Sequence, residues 1–219
     1  SESLNVLTDR GIESDRIFAF VQNLDSTSIN HLIEDPKSRK LNNFVTLKNS
    51  PELNQYNFTY AKDKLILKKL DEIIITIDPF SENEKKLLYD KINQIIIKDK
   101  KLDLLMDEKN PFFDTMPNNS ISLINKKSIS DFSNKISTNI EIERFRANIY
   151  IDGLAAWEER NWIGKTIKIN NIDFIVSGEI SRCSATNLKP STDIVTINLP
   201  NQLKKTYDHI NMGIYLSLI

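Results

Sequence analysis

The stretch Arg144-Phe145-Arg146-Ala147-Asn148-Ile149-Tyr150-Ile151-Asp152-Gly153 decides how this 219-residue chain is read. Helical spacing dominates before it. From Ala147 to Ile151 a β-branched and aromatic run returns, which predicts a strand. Strands are expected again over Lys165–Ile169, Phe174–Ser177 and Ile194–Asn198, followed by a last helix over Leu203–His209.

Upstream of Arg144 lie two helical patterns. Ser81 and Glu84 form a Ser-x-x-Glu capping box, and Leu87, Leu88, Ile92, Ile95 and Ile96 recur at helical spacing, which predicts a helix to about Lys98. A second helix is expected from Ser128, with Ile129, Phe132 and Ile136 on one face and Asp131 in its first turn. Between them Asn110–Asn119, with Pro111 and Pro117, reads as a loop. Further upstream, short strands are predicted at Arg16–Val21, Phe44–Leu47, Asn57–Tyr60, Leu65–Leu70 and Glu72–Ile77. Gly11 marks a turn before the first, and Lys62-Asp63 turns a hairpin. Strands, then helices, then strands make the fold class α+β, mainly β, with barrel character.

Composition narrows the function. Apolar residues are 40%, charged residues 27%, and the net charge is −1, an ordinary soluble balance with no field that would draw nucleic acid or an anionic membrane. No apolar run reaches the roughly 18–20 residues of a membrane span. No signal peptide is visible, and the expected compartment is the reducing cytoplasm. The first residue is Ser1 rather than Met, so a front segment is expected to be missing. Cys183 is the single cysteine, which excludes intramolecular disulfides, cysteine-only zinc or iron–sulfur sites and covalent c-type haem. His31 and His209 are too few for most histidine-rich metal sites, and His209 is placed on a surface helix without a role.

The opening stretch resembles the Arg-Phe-Arg-Pro-Asn-Ile…Gly strand of MOSC-domain proteins, the family of the C-terminal domain of molybdenum cofactor sulfurase. Trp157, Trp162 and Gly164 follow at the family's spacing. Ser181-Arg182-Cys183, Thr186 and Pro190-Ser191-Thr192 resemble its Arg-Cys…Thr…Asp-Pro-x-Thr block. Leu199-Pro200, Leu203, Tyr207 and Met212-Gly213-Ile214-Tyr215 resemble its closing block. Leu7 to Arg16 is similar to a segment of the family's N-terminal barrel, and Asp114-Thr115 to its Asp-Thr/Ser-Ser-Pro loop. The implied architecture is a MOSC β-barrel packed with an N-terminal β-barrel-like subdomain, with residues 1–79 as the associated β subdomain lacking its first strand. Residues 80–219 then form the MOSC domain with its preceding helix. The chain departs from the pattern at Ala147, Lys189 and Met116, and a Tyr-Pro-x-Lys-Ser opening segment is absent.

The resemblance implies molybdenum cofactor (molybdopterin), with Cys183 as metal ligand and catalytic residue. A soft metal centre favours a thiolate, while the bland alternative is a buried inert thiol. Arg16, Arg146 and Arg182 fall within the resembling blocks and suit the phosphate of a pterin; structural ion pairs are the alternative. Asn148, Ser181, Asp114 and Thr115 complete the expected cofactor contacts, against capping or backbone-bonding roles. Trp157 and Trp162 read as packing residues. Pyridoxal phosphate is not expected, because no lysine has a Schiff-base context. The implied function is a molybdenum-dependent oxidoreductase that reduces N-hydroxylated or other N-oxygenated small molecules. Its electrons would come from a separate ferredoxin-like or cytochrome b5-like protein. The alternatives are a cofactor carrier, a persulfide-transfer module acting through Cys183, and a non-catalytic MOSC scaffold.

Overall fold

The computed structural model describes residues 5–7, 11–96, 100–112 and 121–219. The fold is α+β, mainly β, with curled sheets. Two compact units divide the chain. One is Arg16–Asp114 with Ser191–Ile194; the other is Ser1–Asp15, Thr115–Pro190 and Val195–Ile219.

The Cys183-bearing unit takes the first strands, β1 (Val6–Leu7) and β2 (Gly11–Ile12), an antiparallel pair. The Arg16–Asp114 unit then begins with β3 (Phe18–Gln22) and α1 (Ser26–Glu34). A meander follows: β4 (Tyr56–Ala61), β5 (Lys64–Lys69) and β6 (Glu72–Ile77). Lys62 and Asp63 turn the β4–β5 hairpin with φ of 50° and 57°, the paired left-handed conformation that matches strand twist. Helix α2 (Glu82–Ile95) buries Leu88 and Ile92 on the meander, whereas Leu87 is 59% exposed. Ser81 caps it by accepting from the Glu84 amide at 3.4 Å. The expected reciprocal bond goes elsewhere: Glu84 Oε2 accepts from the Asp78 amide at 2.7 Å. Strand β7 (Leu102–Met106) pairs with β3. Helix α2 and β7 share one core with the meander, and this unit runs over Arg16–Asp114.

In the other unit, β8 (Ile121–Asn125) leads without a loop into α3 (Lys126–Lys135). Then come β9 (Ile149–Ile151), β10 (Thr166–Ile169), β11 (Ile172–Ser181), α4 (Leu199–Tyr207) and β12 (Asn211–Leu218). They build a five-stranded sheet in the order β10-β11-β12-β8-β9, parallel only between β8 and β9. Helices α3 and α4 bury Ile129, Phe132, Leu199 and Leu203 in one core. Ile121, Leu123, Phe174, Val176 and Ile214 form a second core.

Two expected strands are not strands. Phe44–Leu47 contributes only a single bridge, Phe44 to Val21, because Asn49 captures the backbone locally. Its Oδ1 accepts from the Thr46 amide and its Nδ2 donates to the Phe44 carbonyl, both at 2.8 Å. Ile194–Asn198 is pinned rather than laddered: Val195 bridges Leu188, and the Thr196 hydroxyl accepts from Arg144. The last helix starts earlier than expected, at Leu199, with Asn198 as its cap and Pro200 in its first turn. Asp131 lies one turn deeper in α3 than expected, since that helix starts at Lys126 with Asn125 as cap.

Candidate functional site

Cys183 lies two residues beyond the end of β11 and is partly buried. Thr186 fixes its backbone: the Thr186 hydroxyl and amide both donate to the Cys183 carbonyl, at 2.8 and 3.1 Å. The sulfur is therefore carried at the joint between a long strand and a tight turn spanning Ser184–Asn187.

Arg182 points inward. Its Nε and Nη2 donate to the Met212 carbonyl at 2.8 and 2.5 Å, and its Nη1 donates to the Phe145 carbonyl at 3.1 Å. The guanidinium also faces the Phe145 ring at 5.3 Å. Burial pushes its pKa down to about 10, so it remains cationic at neutral pH. It ties the Cys183 strand to β12 and to the turn before Arg146. Gly213 makes this approach possible. A Cβ there would stand 2.6 Å from the Leu123 carbonyl and from Ile124, and 3.4 Å from Arg182 Nη2, at φ +84°.

The other expected site residues divide. Arg146 is exposed, with a left-handed φ of 48° at the end of the Ile142–Phe145 turn. Asn148 is turned to the backbone: its Oδ1 accepts from the Ser122 amide and hydroxyl at 3.0 and 2.7 Å, and its Nδ2 donates to Asp15 at 3.3 Å. Ser181 is exposed and donates to Asn211 Oδ1 at 2.8 Å. The structure thus groups Ser181, Arg182 and Cys183 at the end of β11, and the Arg182–Phe145 bond brings the Arg146 turn beside them. Arg16 belongs to the other unit, where its carbonyl accepts from the Phe112 amide at 2.7 Å. Asp114 and Thr115 lie outside the described residues.

Three features escape the sequence reading. The first is a polar string running from Ser181 through Asn211 and Glu179 to Arg160 and His209. Asn211 Nδ2 donates to Glu179, Arg160 Nε donates to Glu179, and Arg160 Nη1 meets His209 Nε2 at 2.6 Å. The Asn211 backbone amide faces the other ring nitrogen, Nδ1, at 3.2 Å, so donors stand on both sides of the imidazole. Burial, and then the Arg160 charge, lower the pKa of His209. The second is Glu159, fully buried at the start of α3. It accepts from the Ser128 hydroxyl at 2.8 Å and from Asn125 Nδ2 at 3.2 Å, where helix-end amides favour negative charge. The third is Asp131, which accepts from Trp157 Nε1 and the Tyr207 hydroxyl, each at 2.7 Å. Burial works to raise its pKa, but these bonds and Lys135 hold it below the usual carboxylate range. No local pattern announces these three, since the side-chain partners that join them are 19 or more positions apart, Lys135 and the Asn211 backbone amide on His209 aside.

Among the described residues no three His, Cys, Asp or Glu side chains converge to hold a metal. The donor set around Cys183 is one partly exposed sulfur, hydroxyls and a buried cation. That set fits a metal whose remaining ligands arrive with an organic cofactor, since among the described residues no group of side chains completes a protein-held metal site.

A curled, mainly antiparallel sheet that delivers a lone thiol from a strand end defines a class. Residues 113–219 match the MOSC domain, and this half of the chain is a MOSC domain. The chain is also similar to mitochondrial amidoxime reducing component 2. It is 25% identical to the Bos taurus protein over 87 residues, and 29% identical to the Rattus norvegicus protein over 87 residues. Each match covers 40% of this chain and 25% of the relative, so the chain spans about a quarter of the length of these relatives.

Proposed function

We propose that this protein binds molybdenum cofactor through the Cys183 thiolate and reduces N-oxygenated small molecules. The observation that carries the reading is the placement of the chain's single thiol at a strand end, beside a buried cation and an exposed hydroxyl, inside a MOSC domain. When bound, the cofactor supplies two-electron oxygen-transfer chemistry at its metal. The chain's own residues would do the rest. Cys183 anchors the metal, and Arg182 holds the anchor's backbone against β12 while adding positive charge nearby. Ser181 and Asn211 present hydroxyl and amide groups to a pterin or its phosphate, and exposed Arg146 offers a guanidinium to the same phosphate. Asn148 supports the site indirectly by fixing β8. The amidoxime reduction named for the relatives supports an N–O substrate. One cysteine cannot ligate a four-cysteine iron–sulfur cluster, so electrons would come from a separate donor protein of ferredoxin or cytochrome b5 type. A reducing compartment, the cytoplasm, suits a free thiol ligand. No helix among the described residues is long and apolar enough to cross a membrane.

A second reading keeps the domain but removes the redox step. Partial exposure of Cys183 also suits a thiol that carries sulfur or hands over the cofactor. Elemental mass spectrometry of protein from a cofactor-competent host separates the two. Near-stoichiometric molybdenum, lost in Cys183→Ala, together with reduction of an N-hydroxylated compound by a chemical reductant, supports the enzyme. Molybdenum without turnover favours the cofactor carrier, and no molybdenum in either protein removes the enzyme and leaves a sulfur carrier or a non-catalytic scaffold.

A further inference from the structure

The unit formed by Arg16–Asp114 holds a half-open cavity of about 370 Å³. Protein interiors leave few voids larger than a water molecule, and a hole of this size is in the range of small-molecule sites. Its walls are aromatic: Phe18, Phe20, Phe44, Phe58 and Phe112 line it together with leucines. Phe20 and Phe58 stand 5.3 Å apart at 58°, and Phe44 and Phe112 stand 5.6 Å apart at 60°, so ring edges and faces alternate around the space.

Two arginines stand in the wall, Arg16 and Arg39, and neither is without a partner. Arg39 stacks on Phe112 at 4.3 Å, pairs with Asp107, and donates to the Leu32 and Asn110 carbonyls at 2.8 and 2.5 Å. Thr46 turns its hydroxyl to the Lys48 amide at 3.3 Å. An ion entering this cavity would shed its water against phenylalanine and an occupied arginine. A neutral ring would exchange water for edge-to-face contacts.

We propose that this cavity is a binding site for a neutral, planar aromatic small molecule of about two fused rings. Cys183 belongs to the other unit, and the binding proposed here uses neither its thiol nor molybdenum. All the residues that line it fall within the Arg16–Asp114 unit.

Isothermal titration of the full chain at pH 7 with 2-naphthol and with the anion 2-naphthoate tests this. The expected result is saturable 1:1 binding of 2-naphthol, with 2-naphthoate at least about tenfold weaker, a difference of ~1.4 kcal/mol. Val45→Phe and Leu53→Phe place extra rings in the cavity from two walls. Each should weaken 2-naphthol by about tenfold or more while the cooperative melt is retained. Should either variant fail to fold, intermolecular nuclear Overhauser effects from 2-naphthol to phenylalanine-labelled wild-type protein give the location directly. Cys183→Ala should bind 2-naphthol as the wild type does, so loss of the molybdenum reading leaves this one standing. The proposal is overturned if 2-naphthol shows no saturable binding, if 2-naphthoate binds as tightly, or if both folded filled variants bind like the wild type. Overhauser effects confined to residues outside the cavity would also overturn it.

Discussion

Phenylalanine and leucine line the centre of the Arg16–Asp114 unit and leave a cavity between them, whereas the unit that carries Cys183 buries two arginines and a glutamate. In the second unit each of these charges is held by named partners. Arg144 reaches Glu141, the Asn187 carbonyl and the Thr196 hydroxyl; Arg182 reaches two carbonyl groups; Glu159 reaches Ser128 and Asn125. In the first unit, Asp103 Oδ2 is the buried side-chain atom without a partner among the described residues, and burial raises its pKa. The difference separates two uses of an interior. Apolar contact stabilises without fixing a unique arrangement, while a satisfied polar network fixes loops in one place at high cost of disruption. The loops fixed in this way are those around Cys183.

The sharpest test of that contrast is Gly213→Ala. A methyl group at φ +84°, overlapping the Leu123 carbonyl and Ile124, should cost about 3 kcal/mol or more, read as a lowered urea midpoint. A loss under about 1 kcal/mol would show that β12 does not press on β8 as described. Next comes Glu159→Ala, which takes the acceptor from the buried Ser128 hydroxyl and leaves Asn125 Nδ2 with the Ala155 carbonyl alone. The expected loss is about 3 kcal/mol, with Glu159→Gln nearer 1 because it keeps an acceptor. Leu104→Ala in the apolar unit should cost less, about 2 kcal/mol, since Leu104 borders the cavity and already lacks neighbours on one side. If Leu104→Ala exceeds Glu159→Ala in chemical denaturation, the contrast between the units fails.

The smallest effect is a pH dependence. His209 has a folded-state pKa below its ordinary 6.5, so the unfolded chain takes up the proton first. Stability is therefore complete above 6.5 and declines as pH falls below it, levelling once the folded protein also protonates. Asp107, Asp131 and Glu141 have lowered values and act later, losing their contributions only as pH falls through the acid range. His209→Gln should flatten the first decline and leave the second. An unchanged curve of melting temperature between pH 7 and 5 would break the assignment.

Much of the frame was legible. The β4–β6 meander, its hairpin turn and the α2 start follow from alternation, turn residues and spacing, whereas the Cys183 block was marked by its resemblance to the MOSC pattern. Five strands did not announce themselves. Two of them, β1 and β2, are two residues long, too short for alternation, and Gly11, read as a turn, opens β2. All five residues of β8 are buried, so Ile-Ser-Leu-Ile-Asn shows no alternation, and it passes into α3 with no turn residue between. Leu-Asp-Leu-Leu-Met of β7 lacks β-branching, and β12 contains Gly213, a residue that ordinarily weakens a strand. At the site, residue type was readable but direction was not. Arg182 and Asn148 could as well face a phosphate as a carbonyl. Only the fold places Met212, Phe145 and Ser122 within their reach. His209 was read as idle because its partner Arg160 is 49 positions away.

Cys183 is the only cysteine in the chain and stands partly open to solvent. That makes the protein its own single-channel recorder. Alkylation can add at most one adduct per molecule, so the rate at which one mass peak becomes another reports whatever shields that sulfur. A spectroscopic tag placed there needs no background cysteines removed, and it would watch the end of β11 without altering any other position.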